Sequence, residues 1–225
     1  MGKNNYKYIL WDFDGTVMDS YPGVIDSLKY ALGFYGIHEE REDVLHAFIG
    51  PPFRQSLPAV YGFDKETTED IIHIYREYYH AGAMFNCSLY AGIPEAAAAF
   101  RSKGYKQYIA SSKPQVACEA ILKNKEAYDM FDGVFGASLD GKTDTKVQVL
   151  EEAFRVIGET DRSAYVLIGD TKYDAAGAKQ AGIDCIGITY GNGSRRELEE
   201  NGAAAVFDTI GDAAGWIIQN RADLQ

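Results

Sequence analysis

The stretch that most constrains this chain is Tyr6 to Ser20, YKYILWDFDGTVMDS, where an apolar run ends in two aspartates, Asp12 and Asp14, and breaks at Gly15. Tyr8, Ile9, Leu10 and Trp11 run on without alternation, which predicts a strand covered on both faces. Carboxylates placed where such a strand exits lose solvation and repel each other, so something must offset them. A hard divalent cation is the simplest candidate. A solvated Asp-Gly turn would explain the pair alone, but later segments of the chain read as its partners.

Downstream of this strand the texture is helical. Val24, Leu28, Ala31, Leu32 and Tyr35 share helical spacing up to Gly36. Further helices are predicted over Glu40–Phe48, Phe53–Val60 and Lys65–Ala81, punctuated by Gly50-Pro51-Pro52 and Tyr61-Gly62. From Tyr90 onward strands and helices alternate. Strands are expected at Tyr105–Ala110, Val134–Ala137, Ala164–Ile168, Cys185–Thr189 and Ala204–Phe207. Helices are expected at Pro94–Lys103, Pro114–Asn124, Thr145–Ile157, Asp174–Gln180, Ser194–Asn201 and Gly211–Gln219. The alternation predicts an α/β fold, a doubly wound, Rossmann-like parallel sheet with helices on both faces. One strand precedes the helical block and the rest follow it. The expected division is therefore a catalytic core of residues 1–17 and 87–225 and an inserted all-helical cap of residues 18–86. An insert at that point belongs over the carboxyl ends of the strands, where open α/β sheets bind ligands. A lid is its natural role, with hinges at the two crossings.

Composition narrows the classes. The chain has 225 residues, 46% of them apolar, enough for a buried core. The net charge of −11 argues against nucleic acid polymers and anionic membranes as partners. No apolar run reaches membrane-spanning length, and Met1–Tyr6 carries no apolar signal core. Cys87, Cys118 and Cys185 are widely spaced and odd in number, so neither a disulfide framework nor a zinc site is indicated. These features together suggest a cytoplasmic protein.

Three further strand ends carry chemistry-bearing residues. After the second core strand comes Ser111-Ser112-Lys113-Pro114, hydroxyls and a lysine that suit an anion; equally, Ser111 or Ser112 caps the following helix. After the third comes Lys142 to Lys146, two lysines near a helix N-terminus, where they oppose the macrodipole. After the fourth comes Gly169-Asp170, with Asp174 four residues on, itself explicable as a first-turn acid. Three or four carboxylates on one sheet edge call for a cation. Mg²⁺ suits them, with water and substrate phosphate completing its oxygen shell.

The run Asp12-Phe13-Asp14-Gly15-Thr16-Val17 resembles the first motif of the haloacid dehalogenase superfamily, and Ser111, Lys146 and Gly169-Asp170…Asp174 resemble its other three motifs in order. The resemblance covers nearly the whole chain, including the inserted helical cap. Within that superfamily Ile49-Gly50-Pro51-Pro52, Tyr75-Arg76-Glu77-Tyr78-Tyr79, Ser112-Lys113-Pro114 and Tyr190-Gly191-Asn192-Gly193-Ser194 look like the phosphoglycolate phosphatase-like or 5′-nucleotidase-like branch. The resemblance implies a Mg²⁺-dependent phosphomonoester hydrolase acting on a small phosphorylated metabolite through an aspartyl-phosphate. It implies Asp12 as nucleophile, Asp14 as acid and base, and Ser111 and Lys146 on the phosphoryl oxygens. Mg²⁺ would be held by Asp12, the Asp14 carbonyl and Asp170, with Asp174 orienting the lysine or a metal-bound water. It favours Lys146 over Lys142. The turn Gly15-Thr16, with Gly50, Ser112, Lys113, Arg54 and Arg76, are candidates for contacts to substrate. A sugar-phosphate mutase, a non-catalytic phosphate-binding protein and a receiver-type module are the alternatives; the last is shorter and lacks a helical insert.

Overall fold

The computed structural model describes residues 4–49, 53–139, 143 and 145–221. Among these the first strand, β1 (Tyr8–Trp11), leads into a two-residue strand, β2 (Met18–Asp19). Four helices follow: α1 (Tyr21–Gly33), α2 (Glu42–His46), α3 (Phe53–Tyr61) and α4 (Lys65–His80). A second two-residue strand, β3 (Ser88–Leu89), comes next. The alternating part then runs α5 (Ile93–Ser102), β4 (Lys106–Pro114), α6 (Gln115–Asn124), β5 (Gly133–Ala137), α7 (Lys146–Ile157) and β6 (Tyr165–Gly169). It closes with α8 (Lys172–Ala181), β7 (Asp184–Ile188), α9 (Arg195–Glu200), β8 (Ala205–Phe207) and α10 (Ile210–Gln219).

The chain divides into two compact units, one of Met1–Met18 with Leu89–Gln225 and one of Asp19–Ser88. The first is built on a six-stranded sheet in the order β5-β4-β1-β6-β7-β8, every neighbouring pair parallel. β1 lies between β4 and β6, in register Trp11↔Ile109 and Trp11↔Ile168. That central place explains its unbroken apolar run. Leu10 packs with Ala110, Leu167 and the α7 residues Val149, Leu150 and Ala153 on one face. Trp11 meets Phe100 and Phe131 edge-on, at 5.8 and 6.3 Å between centroids. From β1 the chain winds outward through β4 to β5, then returns to β6 and winds the other way. The order in which strands are added therefore reverses between β1 and β6, the place where doubly wound sheets form their ligand crevice.

The second unit is helical, with a core of its own around Leu28, Leu32, Leu45, Phe48, Leu57 and Ile71. Asp64 caps α4, its carboxylate accepting the Thr67 N–H at 2.8 Å. α2 is shorter than the periodicity predicts, because the Glu39 carboxylate takes the Arg41 N–H at 3.0 Å and its guanidinium at 2.8 Å, which holds Arg41 extended. The chain crosses between units at β2 and β3, which pair with each other. No helix among the described residues is long and apolar enough to cross a membrane.

Candidate active site

Asp12 leaves β1 with its N–H still bonded to the Ile168 carbonyl at 2.9 Å, so its position is set by the sheet. The side chain is buried. Its Oδ1 accepts a hydrogen bond from Lys146 Nζ at 2.6 Å. Burial, and then the neighbouring Asp174, push the Asp12 carboxyl up to about 6, against the opposing pull of Lys146 and the Ser111 hydroxyl.

Lys146 is the first residue of α7, whose N-cap Thr145 hydroxyl accepts from the Gln148 N–H at 3.3 Å. The buried ammonium also donates to the Ala110 carbonyl at 3.0 Å and lies 2.9 Å from Asp174 Oδ1. α8 comes close enough for this only because residue 177 is glycine: a Cβ there would stand 2.7 Å from Lys146 Cγ. Burial alone would lower the Lys146 pKa, but the Asp12 and Asp174 carboxylates raise it, so the group stays charged. Lys142 lies outside the described residues.

Asp14 sits on the tight turn after β1, in which the Phe13 carbonyl accepts from the Val17 and Met18 N–H groups at 3.0 and 2.9 Å. Gly15 takes φ +82, and a Cβ on it would stand 2.2 Å from Asp170 Oδ2. Both Asp14 oxygens are 3.1 Å from Lys113 Nζ, and the Lys113 side chain is buried.

Asp170 directly follows Gly169 at the end of β6 and is fully buried. Its Oδ1 accepts from the Thr16 hydroxyl at 2.9 Å; its Oδ2 accepts from the Asn192 N–H at 2.7 Å and the Asn192 side-chain amide at 3.2 Å. Burial, with Asp174 and Asp12 nearby, pushes this carboxyl up to about 8. Asp174, in the first turn of α8, accepts from the Thr171 N–H and hydroxyl through Oδ2, at 3.0 and 2.7 Å. Its buried Oδ1 lies 2.9 Å from the Lys146 ammonium, its ion-pair partner.

Asp12, Asp170 and Asp174 each bring a carboxylate oxygen within 4.8 Å of the others. With Asp14 included, four carboxylates face the two ammonium groups of Lys113 and Lys146. Three buried carboxyl groups crowded together, all hard oxygen donors, fit a divalent cation.

Other sequence candidates fall elsewhere. β4 does not stop at Ala110 but continues to Pro114, with a register shift against β5 after Ser111. Ser111 and Ser112 are therefore strand residues rather than helix caps, and the N-cap of α6 is Pro114. Ser111 is buried beside Asp12, whereas Ser112 is exposed. Arg54 is paired with Glu69, Nη2 to Oε2 at 2.8 Å, and Arg76 is exposed on α4. Gly50 lies outside the described residues. Two residues at the site were not among the candidates. Asn192 holds Asp170, and the Tyr190 hydroxyl donates to the Thr16 carbonyl at 2.8 Å. Their signal was the Gly-Asn-Gly run just beyond β7, one more strand end on the same edge.

Residues 9–188 match a family model described as haloacid dehalogenase-like hydrolase. A 5′-nucleotidase from Pseudomonas aeruginosa is 34% identical over 193 residues, covering 86% of this chain and 87% of that protein. The tyrosine-protein kinase PtkA from Mycobacterium tuberculosis is 30% identical over 212 residues, covering 92% of this chain and 72% of that protein. Among solved structures, a predicted phosphatase from Clostridium acetobutylicum is 35% identical, with a TM-score of 0.89, covering 96% of this chain and 99% of that one.

Proposed function

This chain belongs to the haloacid dehalogenase-like hydrolase family, and from that membership we propose a Mg²⁺-dependent phosphomonoester hydrolase working through a phosphorylated Asp12. The observation that carries the reading is the Asp12 carboxylate at the carboxyl end of the central strand, 2.6 Å from a buried Lys146 and within a triad of buried acids. A carboxylate so placed is a nucleophile for phosphorus with its neutralising groups already positioned. Asp12 forms the new O–P bond as the bond to the leaving oxygen breaks, and Asp14 gives that oxygen its proton. Asp14 then takes a proton from water, whose oxygen attacks phosphorus; the Asp12–phosphate bond breaks and inorganic phosphate leaves. Lys146 and Ser111 hold the remaining phosphoryl oxygens, and Asp174 keeps the Lys146 ammonium in place. Held by Asp12, Asp170 and the Asp14 carbonyl, Mg²⁺ would supply the positive charge that lets the anionic phosphoryl group approach these carboxylates.

The substrate is a small phosphorylated metabolite. The sequence resemblance supports phosphoglycolate; the Pseudomonas relative supports nucleoside 5′-monophosphates. A cap arginine would suit the carboxylate of phosphoglycolate; Arg54 pairs with Glu69 at 2.8 Å, and Arg76 also lies near that glutamate. The buried thiols of Cys118 and Cys185 suit a cytoplasmic setting. Hydrolysis of p-nitrophenyl phosphate and of a panel of phosphoglycolate, nucleoside monophosphates and sugar phosphates tests the reading. Asp12→Asn is expected to lose activity by on the order of 10³-fold or more while remaining folded by circular dichroism. Undiminished turnover by that variant would remove Asp12 as nucleophile.

A further inference from the structure

Asp170 has about four lone-pair positions on its two carboxylate oxygens. Asn192 takes two of them, both on Oδ2, through its backbone N–H at 2.7 Å and its side-chain amide at 3.2 Å. Thr16 takes a third, on Oδ1, at 2.9 Å. Among the described residues no further donor reaches it, so one position remains, on Oδ1. The loop that brings Asn192 here is pressed onto the site. A Cβ on Gly191 would stand 2.3 Å from Asp170 Oδ2 and 2.3 Å from the Gly15 carbonyl, and one on Gly193 would stand 2.1 Å from the Asp170 carbonyl. Tyr190 anchors the same loop, its hydroxyl on the Thr16 carbonyl at 2.8 Å and its ring against Tyr90 at 4.7 Å. Asp170 is thus held from two sides, by the turn after β1 and by the loop after β7.

We propose that Asn192 is a positioning residue that selects the metal: by saturating Asp170 Oδ2 it leaves Asp170 a one-oxygen ligand and so favours Mg²⁺ over Ca²⁺. Mg²⁺ requires a small octahedral shell of single-oxygen donors. Ca²⁺ takes more oxygens at longer range and readily uses both oxygens of one carboxylate. Closing Oδ2 denies Ca²⁺ that second oxygen and costs Mg²⁺ nothing. Partners that orient a ligating carboxylate shape metal affinity strongly. The inference rests on the metal-dependent reading above.

Calorimetric titration of the metal-free protein with MgCl₂ and, separately, with CaCl₂ tests it without reference to turnover. Wild type is expected to bind Mg²⁺ more tightly than Ca²⁺. Asn192→Ala, which keeps the backbone N–H, and Asn192→Leu, which also keeps the branched shape, are expected to weaken Mg²⁺ binding about 10-fold or more. Ca²⁺ binding should weaken less or strengthen, so that the ratio of the two Kd values shifts toward Ca²⁺. Equal losses for both ions, or none, would show Asn192 to be structural only and overturn the proposal. Melting in EDTA reports whether each variant is folded. Should neither fold, the smaller change Asn192→Ser takes their place; a wild type that binds Ca²⁺ as tightly as Mg²⁺ contradicts a closed Oδ2 without any variant. A wild type that binds neither ion overturns the metal-dependent reading along with this one. A wild type that selects Mg²⁺ beside variants that select it equally overturns this one alone.

Discussion

At the scale of single residues, the site is held by close approaches as much as by charges. Gly193 shows this best: the atom its Cβ would meet, at 2.1 Å, is the backbone carbonyl of Asp170, which cannot rotate away. Gly193→Ala is therefore expected to destabilise the fold by about 1–3 kcal/mol, the usual cost of forcing an extra methyl into a packed position. Urea denaturation checks it, and an unchanged midpoint would show that the 190–193 loop yields freely. The acids were legible in the sequence because they stand directly after apolar runs: Asp12 after Tyr8–Trp11 and Asp170 after Val166–Gly169. Lys146 became legible only through the resemblance, since two lysines near one helix start are equivalent by pattern. Asn192 was not legible as a site residue. The run Tyr190-Gly191-Asn192-Gly193-Ser194 reads as a mark of the family branch, and only the fold brings the Asn192 amide to Asp170 across 22 positions of chain.

At the scale of elements, period and length decide what can be read. The helices and strands of the alternating part are recovered within a few residues, because most carry an apolar face or a buried apolar run, and α9 is marked instead by its Ser194 cap. β2 and β3 have two residues each, too few to show any period. β4 was read as ending at Ala110 because Ser-Ser-Lys-Pro looks like helix-start punctuation. The sheet overrides that local preference, carrying the strand on to Pro114 and Ser111 into the core beside Asp12. Helix α10 carries a prediction of its own. Gly215 lies in its interior, and among the described residues no atom outside its own stretch of helix lies within 4 Å of where a Cβ would stand. Gly215→Ala should therefore stabilise the protein by about 0.4–1 kcal/mol by restricting the unfolded chain and favouring the helix. A rise in the thermal midpoint is the expected reading; a fall would mean that α10 is packed more tightly than its open glycine indicates.

At the scale of the whole molecule, stability, metal and pH are linked through the buried acids. Burial first, and then repulsion from Asp174, raise Asp12 from 3.8 to about 6 and Asp170 from 3.8 to about 8. Both folded values lie above the unfolded one, so the metal-free folded protein holds these protons more tightly than the unfolded chain does. Their contribution to stability is complete below the unfolded carboxyl pKa and is lost as pH rises through about 6 and then about 8. A divalent cation reverses the balance, because it stabilises the charged carboxylates and must displace the same protons to bind. In EDTA the melting temperature is expected to fall from pH 5 to pH 9. With saturating Mg²⁺ the fall should flatten, and the apparent Mg²⁺ affinity should strengthen through about pH 8, where Asp170 is half ionised. Scanning fluorimetry across that range, with EDTA or Mg²⁺, separates the cases. A metal-free melting temperature that stays level or rises from pH 5 to pH 9 would mean that the buried acids ionise without cost. The triad would then need no cation to hold it together.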